Sequence, residues 1–176
     1  MMKRNISIKK LNNLSFKNNF LEEIKKIKDI PKMPIFTYEH IGSTAINNSL
    51  GEEIIDILIV VENLHEINNF DEKRLNNMGY HRFAHKGKGF ISYCKIKDFT
   101  KMDYNIKLFI VQKDTDIHKN FIFFNDLLKN NNKIFEDYQN FKKENFNLKS
   151  NSKEYIKKRD IFIKKILNGD KNAKRT

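Results

Sequence analysis

Cysteine is almost absent from the 176 residues: Cys94 stands alone. No internal disulfide and no cysteine-based zinc site can form, and a reducing compartment, the cytoplasm, is expected. Tryptophan is missing, and the two prolines, Pro31 and Pro34, sit together, so only one place in the chain forces a helix to end. No long apolar run exists. The longest, 57–61, is far short of the roughly 20 residues a membrane span needs. Met1-Met2-Lys3-Arg4-Asn5 has no apolar stretch behind it, so no signal peptide is expected. Acidic residues are in deficit, 22 against 34 Lys and Arg, for a net charge of +12. Such a balance attracts polyanions such as RNA or nucleotides. Yet Lys, Asn and Ile are abundant together, as AT-rich coding produces, and no arginine-rich block stands out.

What is present suffices for one folded domain. Hydrophobic residues make up 39% of the chain, with 15 Phe spread along it. After a polar lead-in over 1–14, Ser15 reads as an N-cap. Phe16, Phe20, Ile24, Ile27 and Ile30 then recur at helical spacing, predicting a helix over 16–29 that ends at the prolines. Strands are predicted over 35–41, 54–61, 80–85, 90–96 and 104–111, and a helix between 62 and 78 that Gly79 stops. Lys86-Gly87-Lys88-Gly89 reads as the turn of a hairpin. Beyond Gln112 the period turns helical, with helices predicted over 116–129, 132–146 and from an Asn151/Glu154 capping box to Leu167. The expected layout is a single domain over 1–168, sheet-bearing over 1–112 and helical over 113–168. A tail over 169–176, beyond a stop at Gly169, is expected to be disordered.

Two stretches carry the chemistry. Tyr38-Glu39-His40-Ile41-Gly42-Ser43-Thr44-Ala45-Ile46 is a strand running into a Gly-Ser turn. Ile54-Ile55-Asp56-Ile57-Leu58-Ile59-Val60-Val61 is an apolar strand, of central type, interrupted by one carboxylate. By the two-residue period Asp56 shares a face with Ile54, Leu58 and Val60. A carboxylate inside such a run is costly to bury unless it is paired or holds an ion.

These stretches resemble the GrpB-like family of the nucleotidyltransferase superfamily. Met78-Gly79-Tyr80, the strand from His81 to Lys86, Phe124-Asn125-Asp126-Leu127-Leu128-Lys129, Tyr138 with Lys142, and Tyr155 through Arg159 to Ile163 extend the likeness over about 10–167. The resemblance implies an α+β fold: a nucleotidyltransferase-like mixed β-sheet flanked by helices, with a C-terminal helical segment. It implies a Mg2+-dependent nucleotidyl transfer from a nucleoside triphosphate to an unsettled acceptor, small molecule or RNA. This chain departs from the family at Ile46-Asn47-Asn48-Ser49, where Val-Pro-Gly-Leu is usual. It departs at Glu52-Glu53, where Lys-Pro is usual, and at Tyr104 and Lys107, where histidines are expected. The alternative is a non-catalytic nucleotide- or RNA-binding module on the same fold.

In the transfer reading Asp56 is the metal-binding and catalytic carboxylate, and Gly42, Ser43 and Thr44 cradle phosphate through hydroxyls and backbone N–H groups. Arg82, Lys86, Lys107 and Arg159 are candidate phosphate contacts. The strand supplies one acid where two-metal chemistry wants two or three. Glu52, Glu53 and Asp103 are therefore candidate further ligands, and His40, Glu39, Tyr104 and Lys142 further site residues. His81 and His85, about 13 Å apart on a strand, cannot share a zinc ion.

Overall fold

The computed structural model describes residues 7–63, 65–66, 72–83, 89–146 and 152–173. Seven strands and five helices order these residues: β1 (Lys9–Lys10), α1 (Asn13–Lys28), β2 (Phe36–Ile41), β3 (Leu50–Gly51), β4 (Ile55–Val61), α2 (Glu72–Asn77), β5 (Tyr80–Arg82), β6 (Phe90–Asp98), β7 (Asp103–Gln112), α3 (Asp116–Asn130), α4 (Asn132–Asn145) and α5 (Ser152–Ala173). The main sheet runs β2-β4-β7-β6-β5. Only β4 and β7 are parallel, so the sheet is mixed. Leu50–Gly51 of the connecting loop pairs with the lead-in strand β1 as a separate two-stranded ribbon.

Strand alternation divides the core in two. Ile55, Ile57, Ile59 and Val61 of β4 meet Ile106, Leu108 and Ile110 of β7 on one face, under Phe20, Ile24 and Ile27 of α1. Leu58, Val60 and Val111 occupy the other, under Phe121 and Ile122 of α3. Each such aliphatic side chain, removed from water, stabilises the fold by about 1.5–3 kcal/mol. Burial on both faces explains the unbroken run 57–61. A third cluster joins the last three helices: Leu128 and Tyr138 pack with Phe124, Phe141 and Phe162. The rings of Phe141 and Phe162 stack with centroids 4.6 Å apart.

The boundaries differ from expectation in three places. Helix α1 opens at Asn12, whose side chain accepts from the Leu14 N–H, and the Ser15 hydroxyl instead donates back to the Asn12 carbonyl. Of the helix expected over 62–78, His65, Glu66 and α2 (Glu72–Asn77) are helical, Glu62 and Asn63 form a bend ahead of it, and Leu64 and Ile67 lie outside the described residues. Helix α5 continues through Gly169 to Ala173 where a stop and a disordered tail were expected. A glycine inside a helix costs about 1 kcal/mol, which is too little to end it when no proline follows. Asn151, the expected cap of α5, and Lys86 also lie outside the described residues.

Candidate functional site

The end of β2 turns sharply against β4. Gly42 has φ 75° and ψ −166°, a conformation open to glycine and strained for other residues. A Cβ there would sit 2.7 Å from Asp56 Oδ2, so the missing side chain is what lets the turn touch the carboxylate. Ser43–Ala45 then form a single 3-10 turn. The Ser43 hydroxyl accepts a hydrogen bond from Lys142 Nζ at 2.7 Å, reaching from α4. Gly51 of β3 backs the same serine: a Cβ on Gly51 would lie 2.5 Å from Ser43 Cβ. The segment is tied to α4 by Gln139, whose Oε1 accepts from the Leu50 N–H at 2.6 Å.

Turn and carboxylate open into a cavity of about 740 Å³ between the sheet and helices α3–α5, within the size of known small-molecule sites, about 300–1,000 Å³. Its wall carries two carboxylates, Glu52 and Asp56, and four basic side chains, Lys107, Lys142, Lys153 and Arg159. Asp56 and Lys107 are registered neighbours on β4 and β7. Lys107 Nζ stands 4.4 Å from the centroid of the Phe109 ring and 5.9 Å from that of Phe83. Phe83, Tyr104, Phe109 and Phe121 make this side of the cavity aromatic.

Lys142 is 2% exposed. Burial drives its ammonium pKa down to about 7, the Arg159 charge pushes the same way, and Asp56 opposes both. Its amine also donates to the Leu50 carbonyl and stands 4.2 Å from the Tyr138 ring centroid. Burial likewise raises the Tyr138 phenol to about 12. Arg159, carried by α5, lines the cavity with its Nε buried and unpartnered.

The structure therefore gathers Gly42, Ser43, Asp56, Glu52, Tyr104, Lys107, Lys142 and Arg159 around one cavity. Other candidates are placed elsewhere. Thr44 is buried, and its hydroxyl donates to the Ile54 carbonyl at 3.0 Å while bonding His40 Nε2 at 2.9 Å. Since that hydroxyl hydrogen is spent on a carbonyl, the imidazole must be the donor to Thr44. Thr44's side chain is thus committed to holding β2 against β4, not to phosphate. His40 stacks on Phe20 at 4.7 Å on the α1 side of the sheet. Burial, aided by Lys129, lowers its pKa to about 4, so it is neutral and structural. Arg82 is exposed and registered with Tyr93, which packs in the α1-side core; the alternation of β5 sends Phe83, not Arg82, to the cavity. Glu53 is at the surface in an ion pair with Lys9 at 2.7 Å. Glu39 and Asp103 are exposed and off the cavity wall. Lys86 is among the residues not described.

Reasoning from sequence missed Asn125, which lines the cavity from α3, and the aromatic wall of Phe83, Phe109 and Phe121. The alternation of β5 and β7 held the signal for Phe83 and Phe109, since both share a face with Lys107. As for a metal, no cluster of three or more His, Cys, Asp or Glu side chains able to hold one occurs among the described residues. Mg2+ is commonly held by one or two carboxylates with phosphates and waters completing its shell. The donors on this wall fit an ion that arrives with a polyphosphate, not an all-protein cage. No described helix is long and apolar enough to cross a membrane.

Comparison with known proteins agrees with this architecture. The family described as GrpB protein matches residues 5–169. The glutamate-rich protein GrpB of Alkalihalophilus pseudofirmus is 27% identical over 156 residues, covering 88% of this chain and 90% of that protein. The UPF0157 protein YqkA of Bacillus subtilis is 29% identical over 157 residues, 89% of this chain but 44% of YqkA. The crystal structure of conserved protein GrpB from Enterococcus faecalis superposes with a TM-score of 0.72 at 25% identity, covering 91% of this chain and 94% of that one. A partial likeness, with a TM-score of 0.46 and 13% identity over 71% of this chain and 38% of the other, is to Cid1 in complex with its short product ApU. With nearly its whole length matched by the family and its fold shared with a solved member, this chain belongs to the GrpB family.

Proposed function

We propose that the cavity binds a nucleoside triphosphate with Mg2+ and that the chain transfers the nucleotidyl group to an acceptor. The observation that carries this reading is the convergence at the turn: the Gly42 backbone abuts Asp56, and Ser43 is bonded to Lys142. Ser43 and Lys142 present hydrogen-bond donors to phosphate oxygens, and Lys107 and Arg159 add positive charge from β7 and α5. Asp56 and Glu52 are the carboxylates on the cavity wall that the metal would meet. When bound, Mg2+ would supply charge neutralisation of the phosphates. In the reaction the acceptor oxygen bonds the α-phosphorus as the bond to the bridging oxygen breaks. Pyrophosphate leaves and the acceptor's proton passes to water.

A second reading has its own support. The strand carries a single carboxylate at Asp56, and no three-ligand cluster stands among the described residues. A nucleotide- or RNA-binding module needs no second metal and would use the same basic wall. Calorimetric titration with each of the four Mg-nucleoside triphosphates tests what the two readings share. Binding by at least one, weakened tenfold or more by Asp56→Asn, is expected; no heat from any at millimolar concentration refutes both. Pyrophosphate release then favours transfer. RNA binding that is salt-sensitive and survives Asp56→Asn favours the module.

A further inference from the structure

Four described side chains carry buried polar atoms without a hydrogen-bond partner: Asn13, Asn105, Asn125 and Arg159. Asn13 and Asn105 lie away from the cavity, whereas Asn125 and Arg159 line it. An unpaired guanidinium nitrogen beside a basic wall is answered by phosphate. Asn125 needs another answer. The residue is 2% exposed, and both its amide oxygen and its amide nitrogen are unpartnered. Leaving both unpaired in an apolar setting is costly, so a native chain keeps such a group where something else completes it.

The surroundings say what would complete it. Asn125 sits on α3 one turn after Phe121, next to Phe124 and one turn before Leu128, and all three also line the cavity. Phe121 and Phe109 pack against each other at a 48° tilt with centroids 5.1 Å apart, and Phe83 and Tyr104 lie at 6.2 Å. A carboxamide presents one acceptor beside donors in a single plane. Its complement is a flat ring whose edge carries a donor and an acceptor side by side, and the aromatic walls suit the ring's faces. Every nucleobase has such an edge; a bare polyphosphate has none.

We infer that Asn125 and the aromatic wall of Phe83, Phe109 and Phe121 form a nucleobase subsite, with Asn125 pairing in plane with the base edge. This rests on the triphosphate reading of the same cavity and assigns its aromatic wall to the base. The side chain acts on binding, not on the reacting atoms, so Asn125 is a specificity residue.

Calorimetry in excess Mg2+ with inorganic tripolyphosphate and each of the four nucleoside triphosphates separates the two ideas. Wild type should bind at least one nucleoside triphosphate about tenfold or more tighter than tripolyphosphate, the discrimination a two-point side-chain contact to a base supplies. Asn125→Leu, similar in size and without the amide, should lose that preference and keep its tripolyphosphate affinity. Its Tm should match or exceed wild type, because an unpaired buried amide has been removed. Equal affinity of wild type for tripolyphosphate and all four triphosphates overturns the base subsite while leaving the phosphate site standing. A preference that persists in Asn125→Leu also overturns it. No binding of any of the five ligands overturns the triphosphate reading and this inference together. Should Asn125→Leu fail to fold, the wild-type comparison still decides whether a base is recognised.

Discussion

Replacing Lys142 by Met removes the amine from the cavity while keeping an unbranched side chain, and the effect should depend on pH. In the folded chain burial holds the Lys142 pKa down to about 7; in the unfolded chain it returns to roughly 10.4. Between those values the unfolded state carries a proton that the folded state has released. Folded stability therefore rises with pH across that window and is penalised below it. A full proton's difference changes stability by about 1.4 kcal/mol per pH unit, so from pH 7 to pH 9 the amine contributes a gain of roughly 2 kcal/mol. The assay is urea unfolding of wild type and Lys142→Met at pH 7, 8 and 9. Other groups, including the buried tyrosines, titrate alike in both proteins, so the difference between the two curves isolates Lys142. Wild type should gain roughly 2 kcal/mol on the variant over that range. The lost bond to Leu50 does not orphan that carbonyl, which also accepts from the Ser49 hydroxyl at 3.2 Å. Parallel curves would refute the reasoning: the amine would then keep its proton in the fold, as an open, water-filled cavity would allow.

Two further substitutions probe the turn. Thr44→Val leaves the Ile54 carbonyl and the His40 N–H without their partner, and denaturant unfolding should show a loss of about 1–3 kcal/mol; tripolyphosphate affinity should not change, since the hydroxyl is structural. Gly42→Ala forces a Cβ into a glycine-only conformation 2.7 Å from Asp56 Oδ2. It should cost about 1–3 kcal/mol of stability and, by displacing the carboxylate, weaken Mg-triphosphate binding more than Mg-free binding in a paired titration.

Much of this arrangement can be read from the chain. The interrupted apolar run marks β4 as buried on both faces, and its two-residue period puts Asp56 on the side of Leu58 and Val60, where α3 packs. Parity is also where the reading slips. Arg82 looks like a phosphate contact because it is basic and near the hairpin, but β5 is in register such that Phe83 meets the cavity instead. Composition and spacing alone do not tell Lys142 from 33 other basic residues; only the family resemblance names it, because its burial comes from the docking of α4 on Ser43 and Leu50, 99 and 92 residues away in sequence. Asn125 was hidden for a related reason. It lies on the apolar stripe of Phe121, Phe124 and Leu128, where one amide carries no signal of its own, and only the cavity between three helices and the sheet makes it conspicuous. Thr44 shows the reverse: a residue in a suggestive motif whose hydroxyl is claimed by the backbone ten residues on.

The most direct test of the proposed site is a crystal grown with Mn2+ and a non-hydrolysable nucleoside triphosphate. An anomalous peak against the Asp56 carboxylate is predicted, with phosphates resting on Ser43 and Lys142. A cavity empty of both, or a nucleotide held elsewhere on the basic surface with Asp56 untouched, would contradict it.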